Sequence, residues 1–146
     1  AIDAGWAHSV ALIGSDVFAW GWNSSGQLGD GSTDNRPLVG TAALSDVVSL
    51  ESGFVHVAAI TASGSLLLWG GNPYGQRGDA TTTPQPEPTA LTLPALPVQL
   101  SFGSDHSLAL LPDGSVYVWG RNLWGELGLG DRVQRNTPVL HPLLPP

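Results

Sequence analysis

Three histidines stand at matching places along the chain, His8, His56 and His106, each three residues after a glycine: Gly5, Gly53 and Gly103. Imidazoles at equivalent positions around an axis could gather on a metal ion, yet each belongs to a different segment and no acidic partner recurs at matching spacing in all three. The reading that fits is structural: a buried or half-buried ring whose two nitrogens satisfy backbone groups of the adjoining turn. Asp30-Gly31-Ser32-Thr33-Asp34 spaces oxygens as a calcium loop would, but it lacks the glycine at the sixth position and the glutamate at the twelfth. The glycine-rich stretches around Gly26, Gly75 and Gly125 could cradle a phosphate only if a helix followed, and no helical periodicity follows them. With no cysteine and no serine or carboxylate paired with a base at a recommending spacing, nothing suggests a nucleophile. Asn23-Ser24-Ser25 satisfies the glycosylation pattern, weakly, inside a tight turn. No metal, no cofactor and no catalysis are expected.

The elements that hold these residues repeat. Trp20, Trp69 and Trp119 each open a segment of the form Trp-Gly-x-Asn-x-x-Gly, and they follow one another at 49 and 50 residues. Such a unit holds several short strands but is too small for a core of its own, so each must stack on neighbours. The approximate units are 1–46, 47–97 and 98–146. In the third, Leu108-Ala109-Leu110-Leu111 and Val116-Tyr117-Val118-Trp119 flank Asp113-Gly114, which predicts a hairpin closed by a two-residue turn with positive φ. The first unit is one residue shorter at this point, and its hairpin is expected to be the least regular. Asn23, Asn72 and Asn122 are read, with the glycines after them, as left-handed backbone positions in compact loops.

Trp20, Trp69 and Trp119, ending the second strand of each hairpin, are core residues on this reading, each burying a large apolar area. Trp6, Trp22, Tyr74 and Trp124 fall instead at loop positions where the other units carry unrelated residues, and exposed aromatics at loop tips are candidate contact points for a partner. Thr81 to Pro88 is interrupted by prolines and reads as a link between units, neither helix nor central strand. The links Asn35 to Val39 and Asn136 to Leu140 are expected to dock an apolar segment on the following unit. Pro142, Pro145 and Pro146 close the last of them.

Composition narrows the function classes. The chain is 42% hydrophobic and 12% charged, with 19 glycines and 12 prolines, as suits a packed β protein. It has no lysine, five arginines and a net charge of −7, which disfavours direct nucleic-acid binding. No apolar run approaches the ~20 residues that span a bilayer. An opening at Ala1 and the absence of methionine point to a segment of a longer precursor.

The order Gly-x-x-His-Ser, x-Ala-Leu, Asp-Gly, x-Val-Tyr-x-Trp-Gly-x-Asn, Gly-Gln-Leu-Gly and Gly-Asp resembles the repeats of the regulator of chromosome condensation family. The third unit reproduces it from Gly103 through His106, Ser107, Trp119, Gly120, Asn122, Gly125, Leu127 and Gly128 to Asp131; Val57, Arg77 and Glu126 depart from it. The resemblance implies an all-β propeller of four-stranded antiparallel blades, seven in full members of the family. Three blades do not close a ring, so further blades must come from the same precursor or from other copies of the chain. It also implies action by binding. The expected role is a non-catalytic interaction or scaffold module whose protein partner meets the loop end bearing Trp22, Tyr74 and Trp124. Regulation of nucleotide exchange on a small GTPase is the alternative, and enzyme inhibition the third. The photoreceptor branch carries a repeated Gly-Trp-Arg-His-Thr motif, which Gly5-Trp6-Ala7-His8-Ser9 approaches without its arginine.

Overall fold

The computed structural model describes residues 1–40 and 43–142, so Pro145 and Pro146 lie outside the described residues. Eleven strands are formed: β1 (Ile2–Ala4), β2 (His8–Ile13), β3 (Asp16–Gly21), β4 (Val47–Ser52), β5 (His56–Thr61), β6 (Leu66–Gly70), β7 (Gln85–Ala90), β8 (Gln99–Phe102), β9 (His106–Leu110), β10 (Val116–Gly120) and β11 (Arg135–Leu140). They make three antiparallel meanders, β1-β2-β3, β4-β5-β6-β7 and β8-β9-β10-β11, one per sequence unit, and no helix occurs among the described residues. The first strands of the blades, β1, β4 and β8, lie beside one another on the inner side of the array.

Side-chain alternation explains the stacking. In β5, Val57 and Ala59 join a core with Val10, Val17, Ala19 and Leu28 of the first blade, while Ala58 joins a second core with Leu100, Ala109 and Trp119 of the third. A strand buried on both faces must be apolar at successive positions, which is why Val57-Ala58-Ala59-Ile60 has no polar alternation. The array does not close. Ile2, Ala4, Ser9 and Trp20 line an open groove on the first blade, and Leu108, Leu110 and Val116 line one on the third. Trp20 therefore departs from expectation: Trp69 and Trp119 are fully enclosed, whereas Trp20 is half-buried, lining the open groove of the first blade.

Several local expectations are corrected. The proline-bearing links are the outermost strands of their own blades: β7 pairs with β6 at Leu67↔Ala90 and Leu68↔Thr89, and β11 pairs with β10 at Tyr117↔Leu140 and Val118↔Val139. An edge strand is hydrogen-bonded on one side only, so Pro86, Pro88 and Pro138 cost it little. In the first blade two isolated bridges, Val17↔Leu44 and Gly21↔Arg36, stand in place of this fourth strand. The first hairpin is not the least regular; it runs without a slip from His8↔Gly21 to Ile13↔Asp16. Its turn is Gly14, at φ 65°, and Ser15. The Asp113-Gly114 turn is wider than two residues: Leu111 donates its N–H to Ser115 O (2.9 Å). Only Gly114 takes positive φ, while the Asp113 carboxylate accepts the N–H of Ser115.

Candidate functional site

At one end of the array the turn between the first two strands of each blade meets the long loop that follows the third. Trp22 N–H donates to Ala7 O (2.8 Å), Gly71 N–H to Val55 O (2.7 Å) and Arg121 N–H to Asp105 O (2.8 Å). The long loops are held by buried asparagines acting through their side chains, not, as expected, through left-handed backbone. Asn122 donates to Asp131 O (3.1 Å) and Val133 O (3.1 Å) while its Oδ1 accepts the buried N–H of Leu127 (3.0 Å). Asn23 and Asn72 repeat the arrangement at Ser32 and Leu28, and at Thr81 and Arg77. A second brace lies two residues beyond each tip: Gln27, Gln76 and Glu126 accept the N–H of Ser25, Tyr74 and Trp124. Asn122→Ala leaves the Leu127 N–H without its acceptor, and a loss of about 1–3 kcal/mol is expected in urea unfolding.

These frames place the aromatics expected from the sequence. Trp6 is 64% exposed and Trp124 is 76% exposed, while Trp22 and Tyr74 are half-buried. Trp6 and Trp22 meet edge to face at 5.5 Å. Trp6 also stacks on Phe54 at 5.2 Å, and the Trp6 N–H donates to Phe54 O (3.1 Å), joining the turn tips of the first two blades. Phe54 was missed, although its register was readable: like Trp6 it precedes its histidine by two residues. Tyr74 sits apart from this cluster, beneath the guanidinium of Arg121 at 5.4 Å. Arg121 makes two loose ion pairs, with Asp105 (3.7 Å) and Glu126 (3.8 Å). No ring contact joins Trp124 to either group among the described residues.

His8 and His56 work between blades, which corrects for them the expectation that the histidines serve their own turns. His56 Nε2 lies 3.2 Å from Ser107 Oγ, whose hydroxyl donates to Gln76 O (2.8 Å). The serine oxygen must therefore accept, so Nε2 carries the proton. Trp119 Nε1–H reaches the same Gln76 carbonyl (2.8 Å), and Trp69 Nε1–H reaches Gln27 O (3.0 Å). His8 bonds Ser52 Oγ (3.0 Å) in the second blade. Gly53 is required beside His56, because an added Cβ would overlap the imidazole, and Gly5 and Gly103 face His8 and His106 in the same way. Nδ1 of His8 and of His56 finds no partner, so a second proton there would be buried unbonded. Burial holds His8 down to about 4, the Asp3 charge opposing, and burial with the neighbouring His106 and His8 holds His56 down to about 3.

Among the described residues no group of three or more His, Cys, Asp or Glu is placed to hold a metal. Asp30 is occupied within its own loop, accepting the Ser32 N–H and hydroxyl and pairing with Arg36. Asn23 is fully buried, so the folded chain offers it to no glycosylating enzyme. Among the described residues no helix is long and apolar enough to cross a membrane.

Models of the regulator of chromosome condensation (RCC1) repeat match residues 15–60, 63–110 and 113–146, with a second model at 98–123. The chain belongs to the RCC1 repeat family. It is similar to yeast RCC1 (Prp20) as solved bound to Kap60, at 26% identity and a TM-score of 0.84, over 99% of this chain and 37% of that one. Prp20p of Saccharomyces cerevisiae, solved in a study of its binding to Gsp1p and histones, superposes at a TM-score of 0.83 and 26% identity, covering 99% and 39%. Human WBSCR16 does so at 0.79 and 28%, covering 95% and 38%. The ultraviolet-B receptor UVR8 of Arabidopsis thaliana is 39% identical over 67 residues, 43% of this chain and 15% of that protein. The RCC1-repeat chain thus spans about two fifths of these solved propellers, whose fold it shares as an all-β, unclosed array.

Proposed function

We propose that this RCC1-repeat array is a non-catalytic protein-interaction module whose partner docks on the loop end carrying Trp6, Trp22, Tyr74 and Trp124. The observation that carries this reading is the exposure of large aromatics on braced loops: Trp124 stands mostly in solvent on a loop held by the fully buried Asn122 and by Glu126, and Trp6, also mostly in solvent, on a turn bonded to Phe54 O. Rigid amphipathic rings at an open end lose little entropy on binding and are the usual anchors of protein interfaces. The similar yeast propellers, solved with Kap60 or described with Gsp1p and histones, support a binding role of this kind.

Joint replacement of Trp22, Tyr74 and Trp124 by alanine tests it. Affinity capture with quantitative mass spectrometry is expected to lose at least one protein held by the wild type, while the thermal midpoint moves by only a few degrees. Unchanged capture would show that another surface binds. Regulation of nucleotide exchange on a small GTPase is the second reading, favoured by the likeness to Prp20p, whose binding to Gsp1p is described. A nucleotide-release assay on the complete propeller separates the two: a module that only docks leaves release unchanged.

A further inference from the structure

Trp6 and Phe54 occupy one register position in successive blades, and three residues before each stands a carboxylate, Asp3 and Glu51. Blade three carries serine at both places, Ser104 and Ser101, so the aromatic and the acid occur together or not at all. The two aromatics meet at the junction of blades one and two, stacked at 5.2 Å with Trp22 against the edge at 5.5 Å. The carboxylates lie on β1 and β4, the adjacent inner strands, close enough that Asp3 hinders ionisation of Glu51 beyond what burial alone does. Neither is among the carboxylates that face an arginine, Asp30, Asp79, Asp105, Glu126 and Asp131, a lack they share with Asp16, Asp34, Asp46, Glu87 and Asp113 among the described residues. The oxygens of Asp3 accept only the N–H groups of Ala4 and Ser52.

We propose that this corner receives a basic segment of the partner protein, an arginine or lysine lying on the Trp6 and Phe54 rings with Asp3 and Glu51 supplying the countercharge. The inference rests on the binding role proposed above and names the chemistry of its ligand. Aromatic faces attract cations through the ring quadrupole, and Trp6 remains 64% exposed in the stack. The alkyl stem of arginine or lysine covers apolar surface while its head reaches charge, which suits aromatics that follow each carboxylate by three residues along the chain. A net charge of −7 draws the same kind of segment from a distance. An acidic segment would meet two uncompensated carboxylates, and a purely apolar one would leave them unpaired.

The probe is a fluorescein-labelled peptide of glycine, serine and four arginines, with lysine, citrulline and glutamate counterparts, titrated with the 146-residue chain in low-salt buffer and followed by polarisation. The arginine and lysine peptides are expected to bind, the citrulline peptide about tenfold more weakly, and the glutamate peptide not at all. Trp6→Ser with Phe54→Ser, each the residue that blade three uses in that register, is expected to weaken the arginine peptide about tenfold, and Glu51→Gln several-fold. Circular dichroism checks that these variants keep the fold, and Phe54→Ser alone repeats the measurement with every tryptophan in place. Equal binding of the citrulline peptide overturns the proposal. Weakening by Glu51→Gln without weakening by the serine pair also overturns it, since diffuse negative charge would then suffice. If no peptide binds while the Trp22, Tyr74 and Trp124 variant still loses its captured protein, this inference fails and the proposed function stands.

Discussion

Trp69→Ala will cost about 3–5 kcal/mol in urea unfolding, the range for a fully buried large aromatic. Trp20→Ala, the same change at the same register one repeat earlier, will cost less than half as much. Trp69 is enclosed between blades one and two and donates its indole N–H to Gln27 O (3.0 Å). The close fit leaves no slack, because a Cβ on Gly29 would lie 2.6 Å from that indole nitrogen. Truncation therefore opens a cavity and strands the carbonyl at once. Trp20 loses only partial burial, since it lines the open groove of blade one. Against a total stability of about 5–15 kcal/mol for an ordinary domain, the first substitution brings the chain close to unfolding at 37 °C. The comparison is made on wild type and the two single variants under identical conditions; equal losses would mean that the half-buried and enclosed tryptophans support the array alike, and the interface account would fall.

Lowering the pH from 7 to about 4.5 will weaken the fold steeply, before the carboxylates with lowered pKa begin to protonate. His8 and His56 stay neutral in the folded chain to about 4 and about 3, whereas their unfolded value is 6.5. Above pH 6.5 both states carry neutral imidazoles and these groups contribute no pH dependence. Below it the unfolded state takes up two protons that the folded state refuses, so stability falls with a slope of roughly 3 kcal/mol per pH unit until the folded pKa values are reached. The physical cause is the unpartnered Nδ1: its proton would enter a buried site without an acceptor, with Nε2 already committed to serine. Asp30 and Asp79, held below the ordinary carboxylate range by hydrogen bonds and arginines despite partial burial, add their own loss only at lower pH. Urea midpoints measured across pH 4.5–7 should show this slope in the wild type and a shallower one in His56→Gln. A flat profile over that window would contradict the buried neutral pair.

Much of the fold was legible because its signals are local. The tryptophan period, the apolar runs on either side of Asp113-Gly114 and the glycine before each histidine identify strands and their turns without reference to anything distant. The outer strands were hidden for a physical reason: Pro86, Pro88 and Pro138 argue against a strand until it is known that β7 and β11 have only one neighbour. The asparagines misled in a similar way. Asn followed by Gly signals left-handed backbone when the side chain is free, but Asn72 is fully buried and uses both ends of its amide to tie Arg77 N–H to Thr81 O. At the candidate binding end, Trp6, Trp22, Tyr74 and Trp124 were readable as loop aromatics, yet nothing in the linear order pairs Trp6 with Phe54 or puts Arg121 over Tyr74.

The amino-acid order alone specified three equivalent sheet units, their stacking and the loop positions available for contact, because a strand's two faces and a turn's glycine are written within a few residues of each other. Only the tertiary arrangement decided which of the equivalent residues are enclosed, why Trp69 is core and Trp20 is not, and that His8 and His56 bond across to the next blade. Those outcomes depend on the surface a neighbouring sheet presents, and a repeat that spells the same side chain three times carries no record of what lies opposite each copy.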